Sequence, residues 1–450
     1  MIRYFSPIPV RAVWKITVLV IALFTLLFEK STGQESQLSD NYFSHLECDR
    51  SLIPIVWVHG FMAAGDTYEK QALRFIQNGW CPNHILIFDW NTIGRQDASE
   101  KLAKAIDDLL KNTGHSKVFL VGHSAGSRLS HQYASVPENA KKLAGFVQLA
   151  GFPGVSPAGP NGEVPTLNVF SDGDAIVQGD SISGAVNHRF EKKDHYQVAT
   201  SEKTFKEMFH FFTGQKPPIT TAPESPLKTV WIGGRAVSLG LNSPMKGAEI
   251  KIYKVDGETG FRKNEQPVTE LTTDSLGMWG PFEASKGMFY EFVLLSGGGE
   301  NRNIHYFRLP FYTDNPFVYL RALPPPSSMA GMMLSGLPRD EEQSIVSVFI
   351  SDRAVIHGRD QLRVNDTELS TSTQATASAS NIAWFLYDAN NNKQSDLEPI
   401  PTFQFAPFLT GIDVFFPAAP PETITAYFNG KKLSAASRSS KSGIIVMVFD

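Results

Sequence analysis

Between Leu52 and about Phe212 short apolar runs alternate with amphipathic stretches. The runs Ile53–Val58, Ile85–Phe88, Val118–Val121, Gly145–Leu149, Leu167–Phe170 and Val186–Phe190 predict strands. Between them, Asp97 stands where it can cap a helix that places Leu102, Ile106, Leu109 and Leu110 on one face. A last helix over Glu202 to Phe212 gathers Phe205, Met208, Phe209 and Phe212 on one side. Strands alternating with helices imply a parallel sheet covered on both faces, here a small α/β core of about six strands.

After Lys216-Pro217-Pro218 the helical period disappears. Short β-rich runs punctuated by Gly, Pro, Asn and Asp follow, among them Ala248–Tyr253, Phe289–Leu295, Ile345–Ile350 and Ile444–Val448. The joint Leu323-Pro324-Pro325-Pro326 divides this all-β region into sandwich- or barrel-like modules over 218–322 and 323–450. Ser370–Ser380, rich in Ser, Thr and Ala, reads as a loop or edge. The α/β domain then spans 34–217.

Residues 1–33 carry basic residues, the apolar run Ile16 to Phe28, and then Ser31, Thr32 and Gly33. That layout is a signal peptide, and the run is short for a membrane anchor. No later segment is apolar for long enough to cross a bilayer, so a secreted or periplasmic mature protein is expected. The whole chain has 41 basic and 45 acidic side chains, a balance that argues against nucleic acid as a partner. Cys48 and Cys81 flank the first strand–helix unit and return to the same sheet edge, so an exported chain can pair them.

Candidate chemistry centres on Val121-Gly122-His123-Ser124-Ala125-Gly126, a GxSxG pattern between a strand and a helix. A serine on that turn can be held as a nucleophile at the C-terminal sheet edge. It needs a base, an acid to orient the base, and donors for an oxyanion. His195, after the sixth strand, is the candidate base, with His188 the bland alternative. Asp174 is the candidate acid, with Asp172 as the alternative. The turn His59-Gly60-Phe61 would offer the Phe61 N–H opposite that of Ala125 as an oxyanion hole, with His59 bracing it. Met62, Phe152, Ile176, Val177 and Tyr196 surround this point as an acyl pocket or as ordinary core. This chemistry requires no metal and no cofactor.

Leu73-Arg74-Phe75 with Asn78-Gly79, the Gly-His-Ser core, and His195-Tyr196-Gln197 followed by Thr200-Ser201-Glu202 resemble the Archaeoglobus-type lipases. The resemblance continues through Tyr290-Glu291-Phe292, His305-Tyr306-Phe307 and Ser395-Asp396-Leu397, so it covers about 50–420. It implies an α/β-hydrolase fold, hydrolysis of carboxylic esters, and a C-terminal β domain that helps engage lipid. Ser124 and His195 match the nucleophile and base of that family. The acid does not carry over: the family places it after the strand equivalent to Gly145–Leu149, where this chain has Ala150. The family's long helical lid is also missing, since Trp90 to Asp97 leaves a short loop, and an open pocket is expected. Alternatives are a polyester depolymerase, or a non-catalytic lipid- or glycan-binding module on a hydrolase scaffold. Finally, Asp388, Asn390, Asn392 and Asp396 have the alternation of a Ca²⁺ loop but lack its glycine and closing glutamate, which favours a plain Asn-rich turn.

Overall fold

The computed structural model describes residues 46–94, 97–295, 302–403 and 408–450. The expected leader, residues 1–33, lies outside them. Six strands form the first sheet: β1 (Ile55–Val58), β2 (Ile85–Phe88), β3 (Val118–His123), β4 (Leu143–Leu149), β5 (Thr166–Ser171) and β6 (Val186–Phe190). All pairs are parallel, in the order β2-β1-β3-β4-β5-β6. Helices α1 (Glu69–Gln77), α2 (Ala98–Thr113), α3 (Ala125–Ala134), α4 (Pro137–Ala140), α5 (His195–Thr200) and α6 (Glu202–Thr213) accompany them. This is the α/β-hydrolase-like core that the alternation predicts.

The side-chain alternation of β1 shows why both faces need cover. Val56 and Val58 meet Leu102 and Ile106 of α2 and Leu129 and Tyr133 of α3 in one core. Trp57 faces the opposite side, where its ring lies 5.8 Å from that of Phe75 on α1. Phe75 in turn packs edge-on against Phe205 of α6 at 5.0 Å. The Asp97 side chain makes no cap bond to α2, and its φ of 58° places the residue in the left-handed region instead. Cys48 and Cys81 form a disulfide that closes a loop of sequence separation 33. Closing a loop of that size stabilises by about 2–4 kcal/mol.

The rest of the chain is mostly β. A three-stranded sheet holds Met278–Ser285, Thr229–Ser238 and Asn315–Ala322. An eight-stranded sheet runs Leu409–Asp413, Ala383–Tyr387, Val346–Ile350, Gly443–Phe449, Asn303–Arg308, Tyr290–Leu295, Glu249–Lys254 and Thr269–Thr272. It draws strands from both sides of the 323–326 joint, with Asn303–Arg308 paired in parallel to Gly443–Phe449. Segments 218–322 and 323–450 therefore share one sheet. A four-stranded sheet of Leu362–Val364, Thr367–Glu368, Thr423–Phe428 and Lys431–Ala436 closes a second core over it. A short helix α7 (Met329–Leu334) follows the proline joint.

Glu47–Asp450 is a single compact unit, and charged groups tie its α/β half to its β half. Arg308 donates to both oxygens of Glu69 at 2.8 and 2.9 Å, and Asn315 adds a bond at 2.6 Å. Arg321 binds both oxygens of Asp66. Arg235 and the Tyr319 hydroxyl each reach Asp89 at 2.8 Å. Burial pushes the Glu69 carboxyl up, and Arg308 opposes that push. Removing one partner of such a buried pair leaves an uncompensated charge. Arg308→Met should therefore cost about 3–5 kcal/mol in denaturant unfolding. Adding Glu69→Gln should recover part of the loss; no recovery would show that Arg308 acts through packing instead.

Candidate active site

β3 ends on His123, and Ser124 stands between it and α3 with φ 52° and ψ −120°, neither strand nor helix. The flanking glycines are forced by close approach. A Cβ on Gly122 would lie 2.5 Å from the Cα of Ser127, and one on Gly126 would lie 2.2 Å from the carbonyl oxygen of Val58. Only glycine lets the turn close against β1. The Ser127 hydroxyl donates to the Ser124 carbonyl at 2.6 Å, and the Ser124 N–H donates to Leu149 at 3.0 Å.

His195 opens α5, where its neighbour Asp194 is the N-cap. The Asp194 carboxylate accepts the N–H groups of Tyr196 and Gln197, and the Gln197 side chain returns a bond to complete a capping box. From the β half, Arg359 forms an ion pair with Asp194 at 2.7 Å. The ring of His195 is thus fixed by its own helix start. Its Nδ1 lies 2.8 Å from Oδ2 of Asp174. Oδ1 of Asp174 accepts the N–H groups of Ile176 and Val177 at 2.8 and 2.9 Å. His195 Nε2 is buried with no hydrogen-bond partner among the described residues.

The two alternatives from the sequence point elsewhere. Asp172 is exposed and held below its usual range by the Arg189 guanidinium, 2.8 Å away. His188 pairs with Glu207 on α6 at 3.0 Å. A third histidine, His123, lies beside the site, its ring 4.6 Å from that of His195, and its Nε2 bonds the His195 carbonyl at 3.0 Å. Burial and then the neighbouring His195 lower its pKa well below normal, so His123 is neutral.

The turn after β1 comes up against the serine. A Cβ on Gly60 would lie 3.1 Å from the Cβ of Ser124. His59 Nδ1 bonds the Gly60 carbonyl at 2.9 Å, and its Nε2 accepts the Trp90 N–H at 3.2 Å. Thr92 accepts the Met62 N–H at 3.0 Å. Asn242 of the β half, in the left-handed region at φ 56°, reaches in beside them. Its amide donates to the carbonyls of Ala63 and Trp90 at 2.8 and 3.0 Å and lies 3.3 Å from His59 Nε2. The frame leaves the Phe61 N–H without an acceptor among the described residues, and Ala125, as the first residue of α3, has no intrahelical acceptor for its own.

The absence of a lid predicts an open pocket, and the structure differs. Ser124 is 6 % exposed and His195 1 %. The β half roofs them: the Phe408 ring is stacked on that of His195 at 5.9 Å, 2° from parallel, and Tyr196 meets Phe408 edge-on. A cavity of about 90 Å³, lined by Met62, Tyr196 and Phe408 but not by Ser124 or His195, extends into the β half. Ile304, Phe349, Phe385 and Val446 line its apolar wall, and the ion-paired Asp66, Glu69, Arg308 and Arg321 also border it. Of the five expected pocket residues, Met62 and Tyr196 line this cavity, and Ile176 packs against the Tyr196 cluster. Val177 is buried beside Asp174, whereas Phe152 is 43 % exposed under the guanidinium of Arg128. Asn242, Arg359 and Phe408 carry no local signature that sequence reading could find, because each acts across a long chain separation.

Residues 228–325 match the family described as the lipase C-terminal domain. A further C-terminal-domain family matches residues 339–439. Among solved structures, lipase B of Aspergillus fumigatus is 17 % identical with a TM-score of 0.31, over 38 % of this chain and 55 % of that one. The present chain thus spans little more than half the length of that lipase. A CIB-like hydrolase from Thermoplasma acidophilum is 17 % identical with a TM-score of 0.28, over 36 % of this chain and 87 % of that one. A Bacillus licheniformis lipase is 16 % identical with a TM-score of 0.30, over 37 % and 94 %. Likeness of this extent transfers no activity.

Proposed function

We propose that the protein hydrolyses carboxylic esters through an acyl-enzyme on Ser124. The observation that carries this reading is the bond from His195 Nδ1 to Asp174 beside a serine on a strained strand-to-helix turn, with His195 Nε2 left unpartnered. Asp174 keeps the proton on Nδ1, so Nε2 is the atom that accepts the Ser124 proton as Oγ attacks the ester carbonyl. The N–H groups of Phe61 and Ala125 receive the negative charge that develops on the carbonyl oxygen. Nε2 then gives its proton to the departing alcohol. In the second half-reaction it deprotonates a water that attacks the acyl-enzyme, then returns that proton to Ser124 Oγ as the acyl bond breaks and the acid is released. The alternatives to this triad, Asp172 and His188, have other partners.

The mostly apolar cavity that begins at Met62, Tyr196 and Phe408, next to the site, supports an acyl group as the part of the substrate that the β half would receive. A covered site tells against a polymer backbone, which needs an open groove. The intact hydrogen-bonded pair tells against a purely binding scaffold. The Cys48–Cys81 bridge supports export through the leader expected at residues 1–33, since such bridges persist in oxidising compartments. Among the described residues no helix is long and apolar enough to cross a membrane, and contact with lipid aggregates would fall to the β half.

Hydrolysis of p-nitrophenyl esters of increasing chain length tests the reading directly. Ser124→Ala should lose activity on the order of 10⁴–10⁶-fold, together with labelling by a fluorophosphonate. Asp174→Asn should lose on the order of 10⁴-fold. Asp172→Asn should be near wild type, and the reverse order of these two would identify the wrong carboxylate.

Asn242→Gly keeps the left-handed backbone and removes the amide that holds the oxyanion turn. On a soluble short ester, kcat should fall by about 10–100-fold with KM little changed, short of the 10²–10³ lost when a donor itself is removed. An unchanged kcat would mean that the turn holds itself.

Ala383 borders the cavity from the strand Ala383–Tyr387. Filling the space with Ala383→Phe should cut kcat/KM for a long-chain ester at least tenfold more than for a short one. Equal losses would remove the cavity from the acyl path.

A further inference from the structure

Side chains alternate across a strand, so Ile304, Tyr306 and Arg308 of Asn303–Arg308 share one face of the eight-stranded sheet. Register sets Tyr306 level with Val446 and Ser347, and Arg308 level with Val448 and Phe349. All of these line the cavity, so its wall grades from Ile304 and Ile444 at one end to Arg308 at the other. Arg321 comes from Asn315–Ala322 in the three-stranded sheet, and its guanidinium lies over the ring of Phe349 at 5.0 Å. Two arginines from different sheets therefore border one cavity whose wall is mostly apolar.

Neither arginine uses all its donors in its ion pair. Arg308 is 3 % exposed, and its bonds to Glu69 and Asp450 all run through Nη2. Arg321 binds both oxygens of Asp66 through Nη2 as well. The Nε of each is buried with no hydrogen-bond partner among the described residues. A guanidinium carries five N–H donors, and one that is buried without an acceptor has lost its hydration with no bond in return. Charge pairing explains why the arginines are here. It leaves the two Nε–H groups unexplained.

We propose that the cavity binds an apolar acyl group bearing a neutral oxygen acceptor, which the Nε–H groups of Arg308 and Arg321 recognise. A keto, ether or further ester oxygen has that chemistry. The assignment rests on the proposed ester hydrolysis, whose acyl group would enter past Met62, Tyr196 and Phe408. A carboxylate does not fit, because Asp66, Glu69 and Asp450 already stand against the two guanidiniums and would repel a further anion. A plain hydrocarbon fits the wall around Ile304 and Ile444 but leaves both Nε–H groups without an acceptor. An acceptor at the arginine end, with apolar chain beyond it, satisfies both parts of the wall. The ion pairs then have a second role. By holding each guanidinium through Nη2 they fix the direction of its Nε–H, so recognition requires little further ordering.

The test compares p-nitrophenyl esters of one chain length, either unsubstituted or with a keto oxygen moved along the chain, each rate normalised to hydrolysis by hydroxide. In the wild-type chain at least one keto position should raise kcat/KM about tenfold over the unsubstituted ester. Arg308→Lys and Arg321→Lys keep a cation for the facing carboxylate but have no Nε–H. One or both should abolish that keto preference.

A second measurement needs neither turnover nor a folded lysine variant. In the full chain with Ser124→Ala, a dialkyl ketone of matching length should shift the side-chain Nε–H resonance of Arg308 or Arg321 in NMR spectra. That shift in a wild-type chain that hydrolyses no ester would establish the site while removing the ester-hydrolase reading. Equal rates for every keto and unsubstituted ester, with both resonances unmoved, would leave the Nε–H groups to water and overturn the proposal. A keto preference that survives in both lysine variants would overturn it too.

Discussion

Three carboxylates of the α/β half, Asp66, Glu69 and Asp89, are buried where only the β half can neutralise them. Their partners are Arg321, Arg308 and Arg235, each more than a hundred residues away in sequence. A buried charge left without its partner costs several kcal/mol, so neither half is a complete solvent for the other's charges. The pairs therefore do more than decorate an interface. They make the β half part of the folded state of the hydrolase core.

The geometry of the proposed site inherits that dependence. Asp89 also accepts the Gly65 N–H at 2.9 Å, directly below the turn that carries Phe61. Arg235, Tyr319 and Asn242 thus fix one wall of the site from outside its own sheet. Arg359 fixes another, through the N-cap of the helix that begins at His195. All the atoms assigned to chemistry lie before Gly214, yet the frame that aims them is shared. A chain cut after about residue 217 would retain Ser124, Asp174 and His195 but lose four supports of the proposed site and leave three carboxylates without their partners.

What was legible in the sequence follows from range. The six strands of the first sheet were readable because local apolar runs and helix periodicity are set within a dozen residues. The GxSxG turn and the His195–Asp174 pairing were readable because strand order brings those loops to one sheet edge. Glu69 was not: in Tyr68-Glu69-Lys70 it looks like an ordinary charge at a helix start, and nothing nearby reveals Arg308. Phe408 was similarly hidden in a Pro- and Phe-rich stretch whose place over His195 depends on two adjacent parallel strands of the β half. The proline joint at 323–326 was visible, but the pairing of Asn303–Arg308 with Gly443–Phe449 across it was not.

The cavity joins these two themes. Its wall is mostly apolar, although Asp66, Glu69, Arg308 and Arg321 border it. Unpaired, any of these would hold water and repel a hydrocarbon chain. Paired at hydrogen-bonding distance, each carboxylate and guanidinium presents a neutral boundary, and the two arginines are held charged by the acids they meet. The same interactions that bind the halves together thus allow an apolar chamber to pass between them. An acyl chain placed there would touch both halves at once, and in the proposed reaction its length would be read mainly by the β half rather than by the residues around Ser124.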